Sequence, residues 1–163
     1  MEARAAQGRS AGGDRYGRER CRALDIAARI VFGVSVMDRQ IEEYLAHAGA
    51  ARGLGHGGHA DRVREARQMS LEERCKRIGA HISEVDTAAL YGEIRAVRAV
   101  RNALAHSTVE IVPGGTVGFG GDGDEYRIEA LEEALERVDK CNDRLGRIFG
   151  RAARVHGAGR ERP

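Results

Sequence analysis

Three residue types that suit phosphate chemistry stand close together in "RNALAH", residues 101–106. Arg101 carries a guanidinium group, whose planar set of N–H donors matches phosphate oxygens. His106 follows after four intervening residues, and an imidazole is a side chain that can take or give a proton. Asn102 stands between them, directly after the arginine. The stretch therefore indicates a site that holds a phosphate and moves a proton beside it.

Helical geometry places the charged side chain of Arg101 among apolar ones. At about 100° per residue, Arg101 falls about 20° from Leu90, on the same stripe as other apolar side chains. Those side chains are Ile94, Val97 and Leu104. An unpaired guanidinium is costly to bury, so Arg101 requires either an acidic partner from another helix or a wet cleft. The sequence leaves both alternatives open.

A second, polar stripe runs along the same predicted helix. It contains Arg95 and Arg98 as well as Asn102 and His106. Arg95 and Arg98 therefore lie beside the stripe that carries Arg101.

The elements that carry these residues are predicted to be helical. The chain has 163 residues, 42% of them hydrophobic but only 4% aromatic, and just two prolines. A core made of Ala, Leu, Ile and Val with so few prolines favours helices over a β-sandwich. Four amphipathic helices are predicted: one at about 20–48, one at 71–82 with a possible extra turn or two from 61, one that either Ser83 or Asp86 caps and that runs to about 106, and one at about 128–151. "SLEE" at 70–73 is a capping box for the second helix.

Between the third and fourth helices the pattern changes. "VEIV" and "TVGF" flank "PGG", which is typical of a β-hairpin. We therefore predict an all-α fold, an antiparallel four-helix bundle with a small β-hairpin inserted between helices three and four. The bundle would occupy residues 20–151, between a disordered basic arm at 1–19 and a disordered basic tail at 152–163.

Charge and cysteine content limit the classes of function. Residues 1–22 hold six Arg against three acids and residues 151–163 four Arg against one, so both ends are basic and the body is acidic. Such ends could contact phosphate backbones or be solvated tails. Three isolated cysteines argue against a disulfide framework. No apolar run is long enough for a signal peptide or a membrane span, so we expect a cytoplasmic protein without membrane contact.

Cofactor and metal motifs are weak. The glycine-rich runs do not form a phosphate-binding loop. His56, His59 and Asp61 in "GHGGHAD" are metal-ligating residue types, but no further ligand cluster accompanies them. We predict no cofactor and no metal.

The six residues from Arg101 to His106 resemble the motif of the HEPN superfamily, the higher eukaryotes and prokaryotes nucleotide-binding domain. Its signature is an Arg, often followed by a polar residue such as Asn, and a His after four to six residues, at the end of the third helix of a bundle. The resemblance covers roughly residues 20–150 and rests on the motif and on its place before an irregular segment and a long final helix.

The resemblance implies metal-independent RNA cleavage in which a ribose 2′-OH attacks the adjacent phosphate. His106 would act as the general base or acid, Arg101 would stabilise the phosphate, and Asn102 would orient one of them. Arg95 and Arg98 on the adjoining stripe would guide the RNA backbone and are the candidate RNA-binding residues. It also implies a homodimer whose cleft uses one motif from each copy, and a role as a toxin or defence component with an antitoxin or larger assembly as partner. The Tyr that some toxin branches carry two residues after the His is Thr108 here. The alternative is a non-catalytic helical module that binds a partner protein or nucleic acid.

Overall fold

The structure is a computed structural model of the chain. It describes the backbone of residues 3–51, 57–106, 108–112, 116–120 and 125–157, and the side chains of residues 17–50, 57–106 and 127–153.

The described chain is built mainly from five helices. In chain order the elements are α1 (Ala3–Ala51), α2 (His59–Gln68), α3 (Leu71–His81), α4 (Thr87–His106), β1 (Thr108–Val112), β2 (Thr116–Gly120), β3 (Glu125–Arg127) and α5 (Ile128–Gly157). The predicted helical character is confirmed. No helix in the described ranges combines the length and the hydropathy that crossing a membrane requires.

The count of helices differs from the prediction, because the second helical region is two helices. Met69 and Ser70, with ψ angles of 147° and 156°, are extended and separate α2 from α3. The Ser70 hydroxyl accepts a hydrogen bond from the Glu73 amide at 3.1 Å, as the capping box predicts. The Glu73 carboxylate instead pairs with Arg77 one turn later.

Helix α1 starts earlier than expected. Its backbone is helical from Ala3, within the stretch 1–19 that its Gly, Arg and Ser content predicts to be a disordered arm. Alanine, arginine and glutamate in this stretch are good helix formers. Helix α5 likewise continues to Gly157, into the predicted tail, and residues 158–163 lie outside the described part.

The core lies where α1 and α5 pair. Buried side chains recur along α1 from Ala23 to Leu45 and along α5 from Leu131 to Leu145, whereas Leu24 is 45% exposed. The two helices approach closely at Gly33, whose carbonyl accepts a 3.0 Å hydrogen bond from the Asn142 side chain. A Cβ at Gly33 would lie 2.5 Å from Val138 Cγ1, so glycine sets this separation.

The strands form a small antiparallel sheet in the order β1-β2-β3. Val109 faces Phe119 and Ile111 faces Val117 across the first pair, which gives the hairpin that the sequence predicts. The predicted turn at 113–115 lies outside the described residues. The sequence did not predict β3, which pairs with β2 and leads directly into α5.

Candidate functional site

Helix α4 holds the candidate residues in a fixed orientation. The Asp86 carboxylate caps its start, accepting 3.0 Å hydrogen bonds from the amides of Ala88 and Ala89. The predicted apolar stripe is buried along its whole length, at Leu90, Ile94, Val97 and Leu104. The helix ends at His106, where the sequence predicts it to end.

The Arg101 side chain lies between core and solvent, with 29% of its surface exposed. Its Nη2 is 3.9 Å from Asp38 Oδ2 on α1, and Arg98 Nη2 is 3.6 Å from the same oxygen. Both distances are too long for a direct hydrogen bond. Arg101 Nε is buried and forms no hydrogen bond within the described residues. Arg101 therefore has an acidic neighbour, but a loose one.

A third arginine, Arg74 on α3, reaches the same carboxylate from the other side. Its Nη1 lies 3.9 Å from Asp38 Oδ1 and 3.5 Å from Glu42 Oε1. The residue is only 5% exposed. Its remaining donors bond the carbonyls of Arg67 at 2.8 Å and Met69 at 3.2 Å, where α2 ends with unpaired carbonyls. Arg74 thus joins α1, α2 and α3.

Positive charge exceeds negative charge in this group. Arg67 on α2 completes it, with two hydrogen bonds of 3.1 and 3.2 Å to Glu42 Oε2. We call the whole group the arginine cluster, and its members are Arg67, Arg74, Arg98, Arg101, Asp38 and Glu42. Four guanidinium groups face two carboxylates, a composition that suits a further anion.

The other predicted site residues lie on the surface of α4. Asn102, His106 and Arg95 are exposed, and no ion pair or hydrogen bond from a described side chain engages them. His106 is five positions after Arg101, which corresponds to about 7.5 Å along the helix and about 140° around it. One copy of the chain therefore does not bring these two side chains onto one face. Asn102 and His106, four residues apart, share a face.

Two cavities of the described region lie elsewhere. A groove of about 670 Å³ runs between α1 and α5, where the Tyr44 and Phe149 rings stack at 4.2 Å. A cleft of about 480 Å³ between α4 and α5 is lined by basic residues that include Arg144 and Arg147. Neither is lined by Arg101 or His106.

The sequence analysis missed Asp38 and Arg74. Arg74 could have been found by the angular test that singled out Arg101, because it falls about 60° from Leu71 beside Cys75 and Ile78 on the α3 stripe. Asp38 and Glu42 lie four residues apart on α1, next to core positions. That placement is the sequence signal for acidic partners of buried arginines.

Comparison of the chain with protein-family models, with curated proteins and with solved structures found no match.

Proposed function

We propose that this protein is a metal-independent endoribonuclease of the HEPN type. The observation that carries the proposal is the end of α4, where Asn102 and His106 are exposed on one face and Arg101 lies half-buried in a cluster with excess positive charge. We further propose that α1, α3, α4 and α5 form the antiparallel four-helix bundle of that fold, with the strands as its insertion and α2 as an addition.

The reaction would be an internal transfer of a phosphodiester. The ribose 2′-oxygen attacks the adjacent phosphorus, the bond to the 5′-oxygen breaks, and the products carry a 2′,3′-cyclic phosphate and a 5′-OH. His106 takes the 2′-OH proton or protonates the leaving oxygen, which is worth about 10²–10⁴-fold in rate. Arg101 stabilises the charge that develops on the phosphate oxygens.

The position of Arg101 suits this role because its carboxylate partner is not hydrogen-bonded to it. At 3.9 Å, Asp38 can hold the guanidinium in place and still leave its N–H donors for a phosphate. Arg98, at 3.6 Å from the same oxygen, could bind the next phosphate of the strand, and Arg95 lies exposed one turn earlier.

A second copy of the chain would complete the cleft. Arg101 and His106 point about 140° apart around α4, so a homodimer that pairs two α4 ends could set His106 of one copy near Arg101 of the other. In the proposed role as a toxin or defence component, an antitoxin or larger assembly would cover this cleft.

The test is cleavage of total RNA in EDTA by wild type, Arg101→Ala and His106→Ala, with Arg64→Ala as the matched control. Arg64 is an exposed arginine on α2, outside the arginine cluster. We expect wild type and Arg64→Ala to leave cyclic-phosphate ends, and the two α4 variants to lose at least about 100-fold in rate while keeping the wild-type circular dichroism spectrum. Folded wild-type protein that cleaves no RNA would refute the proposal.

The second candidate function is a non-catalytic module that binds a partner protein or nucleic acid. The observation that favours it is the Asp38 carboxylate itself, which gives Arg101 and Arg98 an intramolecular neighbour. In that case Arg101→Ala would lower the free energy of unfolding and His106→Ala would not. Neither variant would cleave RNA, and the wild type would not cleave it either.

A further inference from the structure

Three metal-ligating side chains meet where α2 begins. Glu43 and His47 are four residues apart on α1 and therefore share a face, and His59 is the first residue of α2. One ligand atom from each lies within 4.8 Å of both others. His59 Nε2 is 2.8 Å from Glu43 Oε2, and the rings of His47 and His59 are 4.7 Å apart.

Contacts outside the trio hold α2 in this place. Arg62 donates hydrogen bonds to the carbonyls of Ala46 at 3.0 Å and Gly57 at 2.7 Å, which fix the first turn of α2 against α1. The nearby Asp61 carboxylate is already used, because it accepts the Gly58 amide at 3.1 Å. The three side chains are thus brought together by the fold, and Asp61 is not directed to the same point.

The spacing suits a tetrahedral ion. With Zn–N and Zn–O bonds of about 2.0–2.2 Å, neighbouring ligand atoms of a tetrahedral site lie about 3.3–3.5 Å apart. The observed separations, from 2.8 Å to at most 4.8 Å, span that value. The Glu43 and His59 side chains are 39% and 45% exposed, so each can rotate and move its ligand atom by about 1 Å with little steric resistance.

We propose that Glu43, His47 and His59 bind a divalent transition-metal ion of the zinc class. Two imidazoles and one carboxylate are the donors that zinc uses, whereas Mg²⁺ and Ca²⁺ require mostly oxygen. Three protein ligands leave a fourth position for water or a small ligand. Glu43 and His47 also line the groove between α1 and α5.

This site goes beyond the proposed nuclease, which uses no metal. Glu43 and His47 lie about 140° and 180° around α1 from Asp38, on the side away from the arginine cluster. RNA cleavage in EDTA and metal binding are therefore separate measurements, and failure of either leaves the other standing.

The experiment is a titration of the metal-free protein with Co²⁺, followed by Zn²⁺ competition. A Cys21→Ser background removes the exposed thiol as an unrelated ligand. We expect one Co²⁺ per chain with the visible absorption of a tetrahedral ion, displaced by Zn²⁺ and not by Mg²⁺. Glu43→Gln, His47→Ala and His59→Ala should each weaken binding by at least about 10-fold. Glu43→Gln keeps the shape of the side chain and an acceptor for His59, so it tests the ligand role in a folded protein.

Matched controls identify the ligand set. His106→Ala removes an exposed histidine outside the trio, and Asp61→Asn and His56→Ala remove the other two metal-ligating residue types of "GHGGHAD". All three should bind Co²⁺ as tightly as the background protein. Absence of saturable binding, or loss of binding in His56→Ala and Asp61→Asn but not in Glu43→Gln and His47→Ala, would overturn the proposal. The trio would then be a hydrogen-bonded contact that holds α2 to α1.

Discussion

Replacing Arg74 by Met should remove a large part of the stability of the fold. Arg74 is 5% exposed and is the residue through which α1, α2 and α3 meet. The change deletes two hydrogen bonds to carbonyls at the end of α2, at 2.8 and 3.2 Å, and the ion pair with Glu42 at 3.5 Å. Breaking a buried ion pair by removing one partner costs about 3–5 kcal/mol.

The size of this loss of stability depends on which arginine partners the Glu42 and Asp38 carboxylates keep. Among the described side chains, Glu42 would keep only Arg67, which is 68% exposed, and Asp38 would keep Arg98 and Arg101 at distances beyond hydrogen bonding. We therefore expect the free energy of unfolding to fall by about 3–5 kcal/mol, a large fraction of the roughly 5–15 kcal/mol typical of a domain.

Urea unfolding followed by far-ultraviolet circular dichroism measures this loss. The matched control is Arg77→Met on the same helix, because Arg77 is 47% exposed and its pairs with Glu65 and Glu73 are worth at most about 1 kcal/mol. A double variant, Arg74→Met with Glu42→Met, should be more stable than Arg74→Met alone, since it removes the stranded charge. Equal losses in Arg74→Met and Arg77→Met would refute the reasoning.

Two further predictions concern the core between α1 and α5. Gly33→Ala should lower the free energy of unfolding by about 1–3 kcal/mol, because the new methyl group meets Val138. Gly92 is on the exposed side of α4, where nothing lies within 4 Å, so Gly92→Ala should raise that free energy by up to about 1 kcal/mol. Thermal unfolding of both variants measures the two effects, and two changes of the same sign would contradict the close approach of α1 and α5. Burial raises the pKa of the Cys141 thiol to about 11, from an ordinary value near 9, so the folded state holds its proton more tightly. The stability that this thiol contributes is complete below pH 9 and is lost between pH 9 and about 11, so the melting temperature should fall over that range. Cys141→Ala should make this fall in melting temperature smaller. An unchanged fall in the variant would show that other groups cause it.

Local signals in the sequence predicted most of the helices correctly. The stripe on α4, its end at His106 and the cap at Ser70 each depend on residues within a few positions of one another, and the structure has all three. The hairpin follows from the same kind of short-range pattern.

Contacts between distant residues could not be predicted in this way. Asp38 is 63 residues before Arg101, and only the crossing of α1 and α4 makes them neighbours. The trio of Glu43, His47 and His59 could not be predicted for a related reason. The metal-ligating residue types in "GHGGHAD" are close in sequence, whereas Glu43 and His47 lie on the preceding helix and approach His59 only because α2 folds back against α1.

The pairing of α1 with α5 has a consequence for how the chain folds. Arg22 bonds Glu132, and Asn142 bonds Gly33, so the first helix is completed by the last, across separations of 110 and 109 residues. Contacts of α1 with α2, such as Arg62 to Ala46, span only 16 residues and can form early. During synthesis the part of the apolar face of α1 that packs against α5 stays exposed until α5 leaves the ribosome. The period of greatest exposure to aggregation is therefore the time taken to translate the segment between them.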